Sequence, residues 1–175
     1  PFFGPALTSG VFDGLAAAWA RDCGLERDGR NTLARLAQHF AMKYDATRPK
    51  QLLCQHLRGS PCPSFSDPQQ PHAFFASLPL PLYVTTAYDD FLYQALSGRR
   101  AKDKAPQRVV CPWNDAVRLF AEPLEPSYEP SVAQPLVYHL HGHASEPNSL
   151  VLSEDDYLDF LASLNRDDPN ASETQ

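Results

Sequence analysis

Two short polar segments, each closing an apolar run, hold the residue types best suited to chemistry. Leu82-Tyr83-Val84-Thr85-Thr86 reads as a buried strand that spills into Ala87-Tyr88-Asp89-Asp90. A helix carrying Phe91, Leu92, Ala95 and Leu96 follows. A second apolar strand over residues 136–140 ends in His141-Gly142. Open α/β sheets bind ligands beyond the carboxyl ends of their strands, so these two polar ends can face one crevice. An imidazole that titrates near neutrality is suited to general-base work there. For Asp89 the plainer reading is a cap for the helix that follows it.

The elements that must position these residues are legible in outline. Helices are expected over residues 15–20, 31–44 and 47–57. In the second of these, Leu33, Leu36, Ala37, Phe40 and Ala41 recur at helical spacing, with Asn31 as the N-cap. Pro49 falls in the first turn of the third, where a missing N–H costs little. A short helix through Phe74, Phe75 and Leu78 leads into the first motif strand, and Val109-Val110-Cys111 reads as a brief strand. Residues 59–71 and 123–135 are proline-rich connectors. Ser153 and Asp156 should cap a last helix with Tyr157, Leu158, Phe160, Leu161 and Leu164 on its apolar face. One domain over residues 1–164 and a polar tail over 165–175 are expected.

Composition narrows the class. At 175 residues the chain can bury a real core. No apolar run approaches the roughly 20 residues that span a bilayer, so no membrane insertion is expected. A net charge of −6 argues against direct nucleic acid binding, which needs clustered Lys and Arg. The basic cluster Arg99, Arg100, Lys102 and Lys104 is read as solvated loop surface. Cys23, Cys54, Cys62 and Cys111 form no Cys-x-x-Cys pair, so neither a structural zinc site nor any other metal is expected, and the thiols should be reduced and mostly buried.

Four blocks in order resemble the sirtuin-like family, in its prokaryotic branch associated with antiviral defence. They are Thr85-Thr86-Ala87-Tyr88-Asp89, His139-Leu140-His141-Gly142, the stretch Pro1 to Gly10 as a worn Gly-Ala-Gly-x-Ser phosphate loop, and Leu150 to Tyr157. The resemblance implies an α/β, Rossmann-like fold, a mostly parallel sheet with helices on both faces. It also implies a fragment: the first strand lacks its beginning, and nothing after Leu164 supplies the late strand and helix of the family.

The same resemblance implies NAD as substrate, cleaved to nicotinamide and ADP-ribose. His141 would be the base beside the nicotinamide ribose, and Asp89 would recognise the nicotinamide carboxamide. Thr85 and Thr86 would line the pocket, and Gly4, Ala6 and Thr8 would cradle the pyrophosphate. His139 and His143 are read as structural or surface residues. At position 87 the family has asparagine, which holds the ribose and the attacking water. Loss of one such positioned group can cost about 2.7–4 kcal/mol of barrier. Ala87 is therefore read as an inactivating substitution, with a naturally non-catalytic relative as the alternative. The implied protein is a cytoplasmic, oligomeric NAD hydrolase of an abortive-infection system, triggered by a regulatory domain or partner that senses infection. A non-catalytic NAD- or ADP-ribose-binding module is the alternative, and a protein deacylase is a poorer fit without zinc-ligand pairs.

Overall fold

The computed structural model describes residues 2–3, 10–25, 32–98, 104–120 and 124–166, with only the backbone of residues 2, 3 and 166. The elements run β1 (Phe2–Phe3), α1 (Asp13–Asp22), α2 (Leu33–Lys43), α3 (Thr47–Gly59), α4 (Pro71–Ser77), β2 (Leu82–Thr85), α5 (Phe91–Ser97), β3 (Gln107–Val110), α6 (Asp115–Phe120), β4 (Leu136–His139) and α7 (Glu154–Arg166). The four strands are parallel, in the order β1-β2-β4-β3. This is an α/β, Rossmann-like arrangement, as the sequence implies.

Strand alternation divides the sheet into two faces. Tyr83 and Val137, paired across β2 and β4, point to one side and pack with Ala76 of α4 and Leu92, Ala95 and Leu96 of α5. Tyr138 points the other way, into a cluster of Cys111, Trp113, Val151 and Phe160 of α7. A third cluster joins α1, α2 and α3 through Trp19, Leu36, Ala37, Phe40 and Leu53, and takes in Tyr88, Leu150 and Leu152. The motif loops are thus anchored in the helical core as well as in the sheet.

Several helix starts follow from local chemistry. Thr32 caps α2, its side-chain oxygen accepting from Arg35 N at 3.3 Å. The cap is therefore one residue later than expected; Asn31 lies outside the described residues. Gln70 caps α4 by accepting from Ala73 N, with Pro71 at the first helical position. At α7 the capping box forms as expected. Asp156 N donates to Ser153 Oγ at 3.2 Å, and Ser153 N donates to Asp156 Oδ2 at 2.8 Å. α7 continues past Leu164 to Arg166, into what the sequence marks as tail.

Lys104 corrects the solvated-surface expectation. Its ammonium donates to the carbonyls of Ala76 and Leu78 at 2.8 and 2.7 Å, closing the end of α4, where a helix leaves carbonyls unpaired. Arg99, Arg100 and Lys102 lie outside the described residues. Among the described residues no helix is long and apolar enough to cross a membrane.

Candidate functional site at the ends of β2 and β4

β2 and β4 end side by side, with Thr85 in register with His139. Three further hydrogen bonds stitch the loops beyond them. Leu140 N donates to Thr85 O at 2.8 Å, Ala144 N donates to Tyr88 O at 2.8 Å, and the His139 ring nitrogen Nδ1 meets Ala87 O at 3.3 Å. A carbonyl can only accept, so Nδ1 of His139 carries the proton and Nε2 holds a lone pair. The Tyr88 hydroxyl donates to Val151 O at 2.8 Å, pinning the first motif loop to the strand-like segment before α7.

The turn between His139 and His143 depends on Gly142. Its φ of +89° is one that side-chain-bearing residues rarely adopt, and a Cβ there would stand 2.2 Å from Ser149 O. Beyond the turn, His143 N donates to Ser149 Oγ at 2.9 Å, while His143 Nδ1 sits 2.8 Å from Ser145 Oγ. The chain therefore folds back, and the His143 ring meets the His139 ring edge-on at 4.7 Å between centroids.

Asp89 and Asp90 reach the same place from the loop before α5. Asp89 Oδ1 accepts from Phe91 N at 3.0 Å, from one residue ahead of the α5 N-cap, which is Asp90 and not Asp89 as expected, while the buried Asp89 Oδ2 has no hydrogen-bond partner. Burial raises the Asp89 carboxyl above the usual carboxylate range, against the pull of the Phe91 amide. Asp90 Oδ1 accepts from Arg108 at 2.9 Å and lies 3.4 Å from His143 Nε2. Burial would raise the Asp90 carboxyl too, but the imidazole and guanidinium outweigh it and hold it low. His139 is pressed down to about 3, first by burial and then by His143. It is a neutral imidazole at any physiological pH.

His141 stands apart from this group. Its half-buried ring rests edge-on against Tyr157 and Phe160 of α7, at 5.2 and 5.3 Å. Period-two alternation would have put His139 and His141 on one side. The ladder, however, ends at His139, and the turn carries His141 toward α7. Burial lowers the His141 pKa as well. Thr85 and Thr86 are buried, and Thr85 Oγ1 accepts from Ala87 N at 3.0 Å. Ala87 is itself only 7% exposed, so a larger side chain there would stand in an enclosed position. Gly4, Ala6 and Thr8 lie outside the described residues.

A cavity of about 380 Å³ opens beside these loops, lined among others by Arg58, Cys62, Asp89, Asp90, Gln94 and His143. That is the size of a small-ligand pocket, with the unpartnered Asp89 oxygen available to take an amide N–H. A smaller cavity of about 220 Å³ lies across the sheet, lined by Trp113, Asn114, Asp115, Arg118, Asp159 and Ser163.

Sequence reading missed His139, His143 and Asp90 as members of the site. The signal available was the His-x-His-x-His spacing around a glycine, in which the fold-back at Gly142 returns the third histidine to the first. The four thiols are dispersed, with Cys54 and Cys111 buried, Cys23 half-buried and Cys62 exposed. Among the described residues, the group with metal-ligating potential is Asp90, His139 and His143 instead.

A comparison with curated proteins finds no match to the chain. A family model does match: residues 81–173, more than half of the chain, fit the SIR2-like domain. The match begins at the foot of β2 and takes in both motif strands, their loops and α7. The chain belongs to the SIR2-like domain family.

Proposed function

We propose that this chain binds NAD beyond the carboxyl ends of β2 and β4, and that the complete form of the site is an NAD+ glycohydrolase. What supports the reading is the closure of both motif loops on one crevice, with the His139 ring on the Ala87 carbonyl and the unpartnered Asp89 oxygen beside a ligand-sized cavity. In the reaction, the bond from nicotinamide to the ribose anomeric carbon breaks and nicotinamide leaves with the electron pair. Water adds to that carbon and gives up its proton. Motif position assigns the base to His141, which burial keeps in the neutral form a base requires. Asp89 would take the carboxamide N–H, and Thr85 and Thr86 would support the pocket wall. Gly4, Ala6 and Thr8 would approach the pyrophosphate.

Biologically, the reading is an effector of antiviral abortive infection, acting in the cytoplasm as an oligomer and released by a separate sensing domain or partner. Ala87 favours a second reading, a module that holds NAD without cleaving it. A methyl group cannot position water, and this one is buried where the family asparagine would act.

The test is nicotinamide release from NAD by the triggered protein and its variants. Ala87→Asn should raise the rate by about 10²-fold or more, and His141→Ala should remove that gain. If His139→Ala removes it and His141→Ala does not, the base is His139. Equal rates with alanine and asparagine at 87, alongside measurable NAD binding, would establish the binding module.

A further inference from the structure

We propose that Asp90, His139 and His143 form a site for a divalent transition-metal cation of the zinc type. The inference goes beyond the NAD reading and does not require it. One ligand atom from each of the three residues lies within 4.8 Å of the other two. Both imidazoles are buried, His139 at 1% and His143 at 6% exposure; His139 Nε2 lacks a hydrogen-bond partner, and His143 Nε2 has only the Asp90 carboxylate, at 3.4 Å. A buried, unpaired polar nitrogen is costly, and the His139 one lies at ring contact with a second imidazole whose Nε2 faces a carboxylate, a set that one cation can share.

The opposite edge of each ring is already engaged. His139 Nδ1 donates to the Ala87 carbonyl, and His143 Nδ1 lies 2.8 Å from the Ser145 hydroxyl. Metal-binding histidines are built this way, with one nitrogen on the ion and the other N–H held by a carbonyl, carboxylate or hydroxyl. Asp90 supplies the negative charge, and Arg108 fixes its carboxylate.

His143 has one opposing contact. Ser145 N donates to Nδ1 at 3.1 Å, which places the ring proton on Nε2, facing Asp90. Metal binding requires the other tautomer. The proton leaves Nε2 and is carried on Nδ1, which then donates to Ser145 Oγ while the Ser145 N–H gives up its bond to Nδ1, with no net proton change. Two imidazoles and one carboxylate suit zinc, cobalt(II) or nickel(II), whereas magnesium and calcium prefer all-oxygen sets.

The experiment titrates the full, chelator-stripped chain with cobalt(II), followed by displacement with zinc. One equivalent should bind, with the visible absorption of low-coordinate cobalt and two paramagnetically shifted imidazole N–H resonances. His139→Gln and His143→Gln should weaken binding by more than the roughly 10–100-fold typical of losing an outer partner, and Ser145→Ala by about 10-fold. Serine at all four cysteine positions should leave affinity unchanged. If a histidine variant does not fold, Ser145→Ala and the shifted resonances still decide. Absence of those resonances, unchanged affinity in a folded His139→Gln, or binding lost with the cysteines would overturn the proposal.

Discussion

Two buried polar groups on this molecule are built in opposite ways. Between α3 and α7, the Lys50 ammonium sits 2.6 Å from Asp156 Oδ1, both side chains being almost fully enclosed. Asp156 Oδ2 accepts from Leu152 N and Ser153 N at 3.1 and 2.8 Å, so both carboxylate oxygens are engaged. At the ends of β2 and β4, by contrast, Asp89 Oδ2, His139 Nε2 and His143 Nε2 are buried without a hydrogen-bond partner. Among the described residues the other such atom is Trp19 Nε1, alone in the helical core. A satisfied ion pair holds elements together, whereas clustered unsatisfied groups cost stability and are retained where something binds. The first group is architecture and the second is the proposed site.

The sharpest way to break this comparison is to disturb the turn that gathers the histidines. Gly142→Ala should cost roughly 3–5 kcal/mol, because the new methyl meets the Ser149 backbone at an unfavourable φ. A urea unfolding midpoint close to that of the unaltered chain would show that the turn is free to re-form elsewhere.

Substitutions in the two polar groups should then diverge. Lys50→Met strands a buried carboxylate and should cost about 3 kcal/mol. Asp89→Asn keeps the oxygen that accepts from Phe91 N while removing a carboxyl whose charged form is already disfavoured by burial, so its cost should stay below about 1 kcal/mol. Comparable losses in denaturant melts would erase the distinction.

Acid should act through buried imidazoles, His139 at the end of β4, His141 against α7 and His72 in α4. His139, His141 and His72 all have folded pKa values below the usual one because burial disfavours their charged forms. Between about 6.5 and the folded value the unfolded chain binds more protons, so stability falls as pH falls. For His139 that window runs down to about 3. Folding stability should decrease by up to about 1.4 kcal/mol per pH unit per histidine, and His139→Gln should flatten the slope between pH values of about 6 and 5. A flat profile in the unaltered protein would place solvent at the ring.

The sheet was readable because β2 and β4 are short apolar runs bounded by turn signals, and β2 ends at Thr85, one residue before the expected limit. The cap of α7 was readable because Ser153 and Asp156 carry their own instructions. α6 was missed, although Asn114 caps it by accepting from Val117 N. It is a six-residue helix with Leu119 and Phe120 exposed, so it has little periodic signal. The site was half legible. Motif residues identify the strand ends, but which histidine faces Ala87 depends on where the β4 ladder stops. That is a tertiary fact set by Thr85, Gly142 and Ser149.

Amide chemical shifts followed during an NAD titration test directly whether NAD occupies the crevice at β2 and β4. Perturbations are expected over residues 85–91 and 139–145, weakened by Asp89→Asn. Perturbations centred instead on Trp113, Asn114 and Asp159, which line the cavity across the sheet, would contradict it, as would a spectrum that NAD leaves unchanged.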